Sequence, residues 1–236
     1  MSLKRFDFYF LLSIAIIGCV LSLSGPKPHV RTIHRHPTPA TMITTQQRES
    51  HMLIFVDKSD EPIGSCSARA IGPHAVITAT HCLSGRDVFG IKIDMSEETH
   101  DIVSVATDGR DHMLLLIDGT AFKNYEKIKV GKVQINDVVT YYGSGGDEYP
   151  PVPKFGKVTD CQDPSDMDEA AEIVCFDTSS IFGDSGSTVY NDKGEVVALV
   201  TYLIDQGTGK PTTTVGFGLN FTQAQYDRAF EFIPKA

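Results

Sequence analysis

The sequence predicts an all-β domain that ends in one helix. Short runs rich in Val, Ile, Thr and Tyr have the length of strands and are separated by Gly, Pro and Asp, a spacing typical of a barrel or a sandwich. Residues 191–194 (Asn-Asp-Lys-Gly) lie between two such runs and predict a hairpin turn. The runs cover residues 52–56, 75–79, 88–93, 113–117, 138–142, 173–176, 187–190 and 196–203.

The closing helix is predicted over residues 222–233. Thr222 and Gln225 have the spacing of a capping box. Four residues then form one apolar face, as expected of a helix that packs against the rest of the domain; they are Ala224, Ala229, Phe230 and Ile233.

Size and charge limit the possible functions. The chain has 236 residues, 41% of them hydrophobic and 22% charged, which is ordinary for one globular unit that could consist of two similar halves. Its net charge is −9, and the acidic residues predominate after residue 50. Nucleic-acid binding requires Lys and Arg to neutralise phosphates, so we predict no nucleic-acid partner. We also expect the protein to be a monomer.

The N-terminal segment predicts export. Lys4 and Arg5 precede an uncharged apolar stretch over residues 8–23. We interpret residues 1–24 as a signal peptide or signal-anchor. An alternative is a lipoprotein box that ends in Cys19 and would carry a lipid anchor. We therefore expect a secreted or periplasmic protein, or one that contacts a membrane only through this segment.

Residues 25–50 are rich in Pro and Thr and have no apolar periodicity, which indicates a linker before a folded domain over residues 51–236. His34 and His36 in this linker have no fixed geometry for a metal. The acidic residues of 160–172 lack the glycine and the ligand spacing of an EF-hand. We interpret both groups as solvated, and we predict neither a metal nor a cofactor.

Cysteine usage agrees with export. The chain has five cysteines, and four remain when Cys19 is set aside. An even number in an exported chain predicts two disulfides. The count alone leaves all three pairings of these four cysteines open.

Three segments carry the parts of a nucleophile, a base and an orienting group. Ser185 lies in Gly-Asp-Ser-Gly-Ser at 183–187, His81 lies in Thr-Ala-Thr-His-Cys at 78–82, and Asp111 opens an apolar run. A serine hydroxyl is a weak nucleophile until a base such as histidine removes its proton, and an aspartate orients the imidazole. The loop also directs the N–H groups of Gly183 and Ser185 at a developing oxyanion.

These segments resemble those of the chymotrypsin/trypsin-like serine peptidases, over roughly residues 50–235. The resemblance implies two antiparallel six-stranded β-barrels with the catalytic cleft between them, and a serine endopeptidase acting on proteins or peptides through an acyl-enzyme. It implies the disulfide Cys66–Cys82, since the family pairs the cysteine after the histidine with one sixteen positions earlier. It also implies Cys161–Cys175, which are fourteen positions apart like a second family disulfide ahead of the serine loop. His112 departs from the family's usual aliphatic residue, and Asp108 and Asp118 are the rivals of Asp111.

A second departure concerns activation. Digestive members of the family gain a new N-terminus that pairs with the aspartate before the serine, but residues 45–60 contain no such sequence. Asp184 is therefore expected to have another partner. Together with the short loops, this resembles the compact bacterial, phage or viral members.

The resemblance also implies a substrate-binding set: Ser179, Thr201, Tyr202, Leu203 and Gly216. Ser179 would form a neutral pocket floor. Leu203 would shorten the pocket from one side, and Gly216 would lie on the segment that faces it. Residues Thr201 to Leu203 would pair with the substrate backbone. We predict cleavage after small or medium apolar residues. The alternative function is a catalytically silent binding or structural module with the same fold.

Overall fold

Two closed antiparallel β-barrels make up the structure, a computed structural model that describes residues 46–119, 122–161, 172–178, 180–204 and 213–234. The first barrel has the strand order β1-β2-β3-β6-β5-β4, and the second has the order β10-β11-β12-β9-β8-β7. The all-β fold predicted from the sequence, with two six-stranded barrels, is confirmed.

The strands of the first barrel are β1 (Ser50–Val56), β2 (Pro62–Gly72), β3 (Ala75–Ala79), β4 (Gly90–Ile93), β5 (Thr99–Thr107) and β6 (His112–Ile117). Those of the second are β7 (Val138–Gly143), β8 (Val152–Thr159), β9 (Ile173–Asp177), β10 (Thr188–Tyr190), β11 (Val196–Ile204) and β12 (Thr213–Phe217). A 3-10 helix (Thr80–Cys82) follows β3, and α1 (Gln223–Glu231) follows β12.

The predicted turn and cap have the expected local chemistry. Asn191 Oδ1 accepts hydrogen bonds from the N–H groups of Lys193 and Glu195, both at 3.0 Å, in the turn between β10 and β11. Gly194 has a φ of +76°, which glycine adopts without steric strain. Thr222 and Gln225 form the capping box that begins α1.

Each barrel encloses its own apolar core. Every residue of β3 and β6 is buried. One face of these strands lines the core of the first barrel, and the other face packs against the second barrel and α1. Leu116 of the first barrel, Leu199 of the second and Ala229 of α1 belong to one further cluster. This cluster fixes the two barrels and the helix to each other.

A buried ion pair fixes the start of β1 in place. Glu49 Oε2 lies 2.8 Å from Arg69 Nη2, and the two side chains are only 2% and 5% exposed. The Arg69 guanidinium also lies over the ring of Tyr190, 5.2 Å from its centroid. Because Arg69 belongs to β2 and Tyr190 to β10, this contact also joins the barrels.

Candidate active site

Pairing of β3 with β6 brings two of the predicted site residues together. Ala79 at the end of β3 pairs with His112 at the start of β6. His81 follows the first of these strands and Asp111 precedes the second, so antiparallel pairing makes them neighbours. The Thr80 N–H donates to the Asp111 carbonyl at 2.8 Å, which continues the pairing beyond the strands.

His81 bridges Asp111 and Ser185. Its Nδ1 lies 2.7 Å from Asp111 Oδ2, and its Nε2 lies 2.8 Å from Ser185 Oγ. The backbone N–H of His81 donates to the other Asp111 oxygen, also at 2.8 Å. The His81 side chain is 41% exposed, so the three groups face solvent and a substrate can reach them.

The rival aspartates have other partners. Asp108 Oδ2 lies 2.6 Å from His112 Nδ1. Asp118 accepts the N–H of Asp101 at 2.8 Å. Of the three candidates, Asp111 is therefore the one in contact with His81.

The loop that carries Ser185 is fixed on two sides. Gly186 donates its N–H to the Val200 carbonyl at 2.8 Å, and the Ser185 carbonyl accepts the N–H of Ser67 at 2.9 Å. Gly183 has a φ of +99°, and a Cβ there would lie 2.8 Å from the Ser144 carbonyl oxygen. Glycine is required at 183 both by its conformation and by this close approach.

Two backbone N–H groups in this loop are oriented by the carbonyls that precede them. The Phe182 carbonyl accepts the N–H of Gly146 at 2.8 Å, and the Asp184 carbonyl accepts the N–H of Ser187 at 3.0 Å. In a trans peptide the N–H points opposite to the carbonyl, so the N–H groups of Gly183 and Ser185 point away from these partners. Within the described ranges, neither N–H donates a hydrogen bond.

Ser67 is a site residue that the sequence did not indicate. Its fully buried hydroxyl donates to the Gly183 carbonyl and accepts the N–H of Ser144, both at 2.8 Å. Its own carbonyl accepts the hydroxyl of Thr78 at 2.7 Å. Ser67 thus attaches the serine loop of the second barrel to β2 of the first.

Lys154 is the partner of Asp184. Its Nζ lies 2.6 Å from Asp184 Oδ2, and the two side chains are 15% and 0% exposed. The Asp184 carboxylate also accepts the N–H groups of Gly145 at 3.0 Å and Ile181 at 2.9 Å. An internal lysine therefore neutralises the buried carboxylate beside the serine.

The segments expected to bind substrate lie beside the serine loop. β10 pairs with β11 only as far as Leu199, so β10 does not cover that edge of β11 over Thr201 to Leu203. On the other edge, Leu203 pairs with Thr214 of β12, and Gly216 pairs with Val200. Leu203 is 40% exposed, whereas Thr201 is buried.

A chain of buried hydroxyls lies close to these strands. Ser180 Oγ lies 2.6 Å from Tyr141 Oη and 2.8 Å from Thr214 Oγ1, and Thr214 donates to the Thr178 carbonyl.

Four parts of the sequence prediction lie outside the described residues. They are the expected pocket residue Ser179, the segment 1–24 with Cys19, residues 25–45 of the linker with His34 and His36, and the acidic stretch 162–171.

Both expected disulfides are present, Cys66–Cys82 and Cys161–Cys175. Such pairs are typical of proteins from an oxidising compartment outside the cytosol. Among the residues that the structure describes, no helix is long and apolar enough to span a membrane.

The chain belongs to the trypsin-like peptidase domain family, whose sequence profile matches residues 65–199, more than half of the chain. It is therefore a serine endopeptidase, and its substrates are proteins or peptides. A comparison with curated protein sequences gives no significant match.

Solved structures of proteases share the fold. The Rv3671c protease from M. tuberculosis in its active form has a TM-score of 0.62 at 13% identity, over 90% of this chain and 97% of that chain. Its inactive form has a TM-score of 0.59 at 12% identity, over 81% and 93%. The HtrA-type protease AlgW with a tripeptide has a TM-score of 0.63 at 14% identity, over 83% of this chain and 64% of that chain.

Proposed function

We propose that the protein hydrolyses peptide bonds with Ser185 as the nucleophile, His81 as the base and Asp111 as the group that orients His81. The observation that carries this proposal is the bridging position of His81, at 2.7 Å from Asp111 and 2.8 Å from Ser185. An imidazole held in this way can take the hydroxyl proton as Ser185 attacks the scissile carbonyl.

After the attack, the carbonyl oxygen carries a negative charge. The N–H groups of Gly183 and Ser185 stabilise it, since the carbonyls that orient them are already hydrogen-bonded in the protein. His81 then gives its proton to the leaving amine, and water hydrolyses the acyl-enzyme by the same sequence of proton transfers.

The test is hydrolysis of casein and of a mixed peptide library by the full-length protein, by Ser185→Ala and by Ser84→Ala. Ser84 lies three positions after His81 and is exposed, so it is a matched serine outside the proposed triad. We expect cleavage by the wild type and by Ser84→Ala, and none by Ser185→Ala. Cleavage by Ser185→Ala would refute the role of Ser185, and no cleavage by any form would favour the silent module.

For specificity, we propose cleavage after small or medium apolar residues. The partly exposed apolar side chain of Leu203, at the end of β11 that β10 does not cover, supports this. The edge of β11 over Thr201 to Leu203 would pair with the substrate backbone, with Ser179 and Gly216 completing the pocket. Sequencing the library products tests this, and preferred cleavage after Lys, Arg or large aromatic residues would refute it.

We further propose that the domain acts outside the cytosol as a monomer. The two disulfides and the export-like segment 1–24 support the location. In this proposal, residues 25–45 link that segment to the protease domain, since Glu49 and Ser50 already belong to the first barrel. Cell fractionation and mass spectrometry of the mature N-terminus would distinguish cleavage after the signal, retention as an anchor, and lipidation at Cys19.

A further inference from the structure

A second histidine–aspartate pair lies directly behind the turn that carries Asp111. His112 Nδ1 is 2.6 Å from Asp108 Oδ2, and both side chains are fully buried. Asp111 and His112 are consecutive residues, so neighbouring positions of one turn contribute to two separate His–Asp pairs. One pair contains His81 at the solvent-facing site, and the other lies in the interior.

The buried pair closes the turn on itself. Asp108 Oδ1 accepts the N–H of Arg110 at 2.8 Å and, at 3.4 Å, that of His112. The Asp108 N–H donates in return to the His112 carbonyl at 3.3 Å. Asp111 lies inside this closed turn with a φ of +68°, a conformation that L-residues adopt rarely and that the surrounding contacts must hold.

The same carboxylate connects the turn to the C-terminal segment. Asp108 Oδ2 accepts the N–H of Asn220 at 2.9 Å, and Arg110 Nη1 donates to the Gly218 carbonyl at 3.4 Å. Burial, and then the charge of Asp108, raise the pKa of the Tyr226 hydroxyl of α1. The turn is therefore held from inside by His112 and from outside by the segment that precedes α1.

A histidine is a costly choice at the start of β6. The rest of this strand is apolar and buried, and the second ring nitrogen of His112, Nε2, is buried with no hydrogen-bond partner in the described part of the chain. An aliphatic side chain would avoid this desolvation. The side-chain hydrogen bond that His112 does make is the one to Asp108.

We propose that Asp108 and His112 are positioning residues for the triad, which hold the turn 108–112 in the conformation that directs both Asp111 oxygens at His81. This inference rests on the proposed function of the triad. Asp111 Oδ1 binds the His81 backbone and Oδ2 binds the His81 ring, so a small rotation of the turn weakens both contacts at once. Substrate contacts are unaffected, because neither Asp108 nor His112 reaches the cleft.

The chain offers a matched control. Asp94 Oδ2 lies 2.6 Å from His51 Nδ1, and Asp94 Oδ1 accepts the N–H of Met52 at 3.0 Å. This pair belongs to the same barrel and joins the same two side-chain types, but it is partly exposed, at 13% and 23%, and it lies away from the turn 108–112. Asp94→Asn therefore shows whether the loss of a His–Asp pair elsewhere in this barrel changes kcat.

The experiment compares full-length Asp108→Asn, His112→Leu, His112→Asn and Asp94→Asn with the wild type. The measurements are kcat and KM on one cleaved peptide, the melting temperature, and the proton NMR resonance of the His81 Nδ1–H group. Asparagine at 112 keeps an N–H donor near the position of Nδ1, whereas leucine removes it. The two His112 variants carry the test if Asp108→Asn does not fold.

We expect Asp108→Asn and His112→Leu to lower kcat by about tenfold or more with KM unchanged within about twofold, as for loss of a transition-state interaction. The His81 Nδ1–H resonance should move upfield in both, His112→Asn should restore most of kcat, and Asp94→Asn should change only the melting temperature. Wild-type kcat and resonance in Asp108→Asn and His112→Leu would overturn the inference. If the wild type hydrolyses nothing, the proposed function fails, and the resonance alone decides whether the pair positions Asp111.

Discussion

Replacement of Lys154 by methionine tests whether an internal cation keeps the serine loop in its active form. The Asp184 carboxylate is fully buried, and the Lys154 ammonium lies 2.6 Å from it. Removal of one partner from a buried ion pair costs roughly 3–5 kcal/mol. The N–H groups of Gly145 and Ile181 still bind the carboxylate, so we take the lower end, about 3 kcal/mol.

The loop can avoid this penalty by turning Asp184 out to solvent. Asp184 directly precedes Ser185, so that movement disorders the N–H groups of Gly183 and Ser185. A cost of about 3 kcal/mol lowers the ratio of ordered to disordered loop roughly 100-fold. We therefore expect Lys154→Met to lower kcat/KM by up to about 100-fold while the barrels remain folded.

The assay is peptide hydrolysis combined with titration of active sites and circular dichroism. Lys154→Arg should keep most of the activity because it keeps the charge. Lys157→Met is the matched control, since Lys157 is exposed on the same strand. Wild-type kcat/KM in Lys154→Met would refute the reasoning and show that the two backbone N–H groups suffice.

Three further substitutions test other parts of the account. Ser67→Ala leaves the buried Gly183 carbonyl without its hydroxyl donor, which costs about 1–3 kcal/mol of stabilisation of the serine loop. We expect a lower kcat with little change in KM, and a lower melting temperature with normal kcat would contradict the role of Ser67 in the site. Arg69→Met leaves Glu49 buried without its cation and should destabilise the fold by about 3–5 kcal/mol in urea unfolding, whereas a midpoint equal to wild type would refute this. Thr222→Ala removes the cap of α1 and should cost about 1 kcal/mol in the same measurement, with no change in activity.

The sequence predicted the strands whose residues are mostly apolar and β-branched. The runs at 75–79 and 113–117 correspond to β3 and β6, every residue of which is buried. Strands β2, β5, β8 and β12 were not among the predicted runs. β2 contains small polar residues, and β8 contains Pro153 and Gly156, residues that ordinarily weaken a strand. Their pairing within closed barrels compensates for this, and only the family resemblance implied them.

The candidate site was predictable where its chemistry lies in local motifs. His81, Asp111 and Ser185 each stand in a short segment with characteristic neighbours, and the structure brings these three residues together. Ser67 and Lys154 have no such motif. Their partners lie 116 and 30 positions away, so the contacts exist only after the barrels have packed.

His112 shows how one departure from a family pattern acquires a physical explanation. From the sequence, the histidine after Asp111 weakened the assignment of Asp111, and Asp108 was a rival that lacks the right strand after it. In the structure the two residues bind each other, and the pair closes the turn from which Asp111 reaches His81. The spacing of four residues across a tight turn does not reveal this pairing without the fold.

The central claim is that His81 and Asp111 activate Ser185, and reaction with a fluorophosphonate probe followed by peptide mapping tests it most directly. The account predicts one adduct, located on Ser185, in the wild-type protein, a much slower reaction in His81→Ala, and none in Ser185→Ala. Absence of an adduct on Ser185 in folded wild-type protein, or equally rapid labelling of His81→Ala, would contradict it.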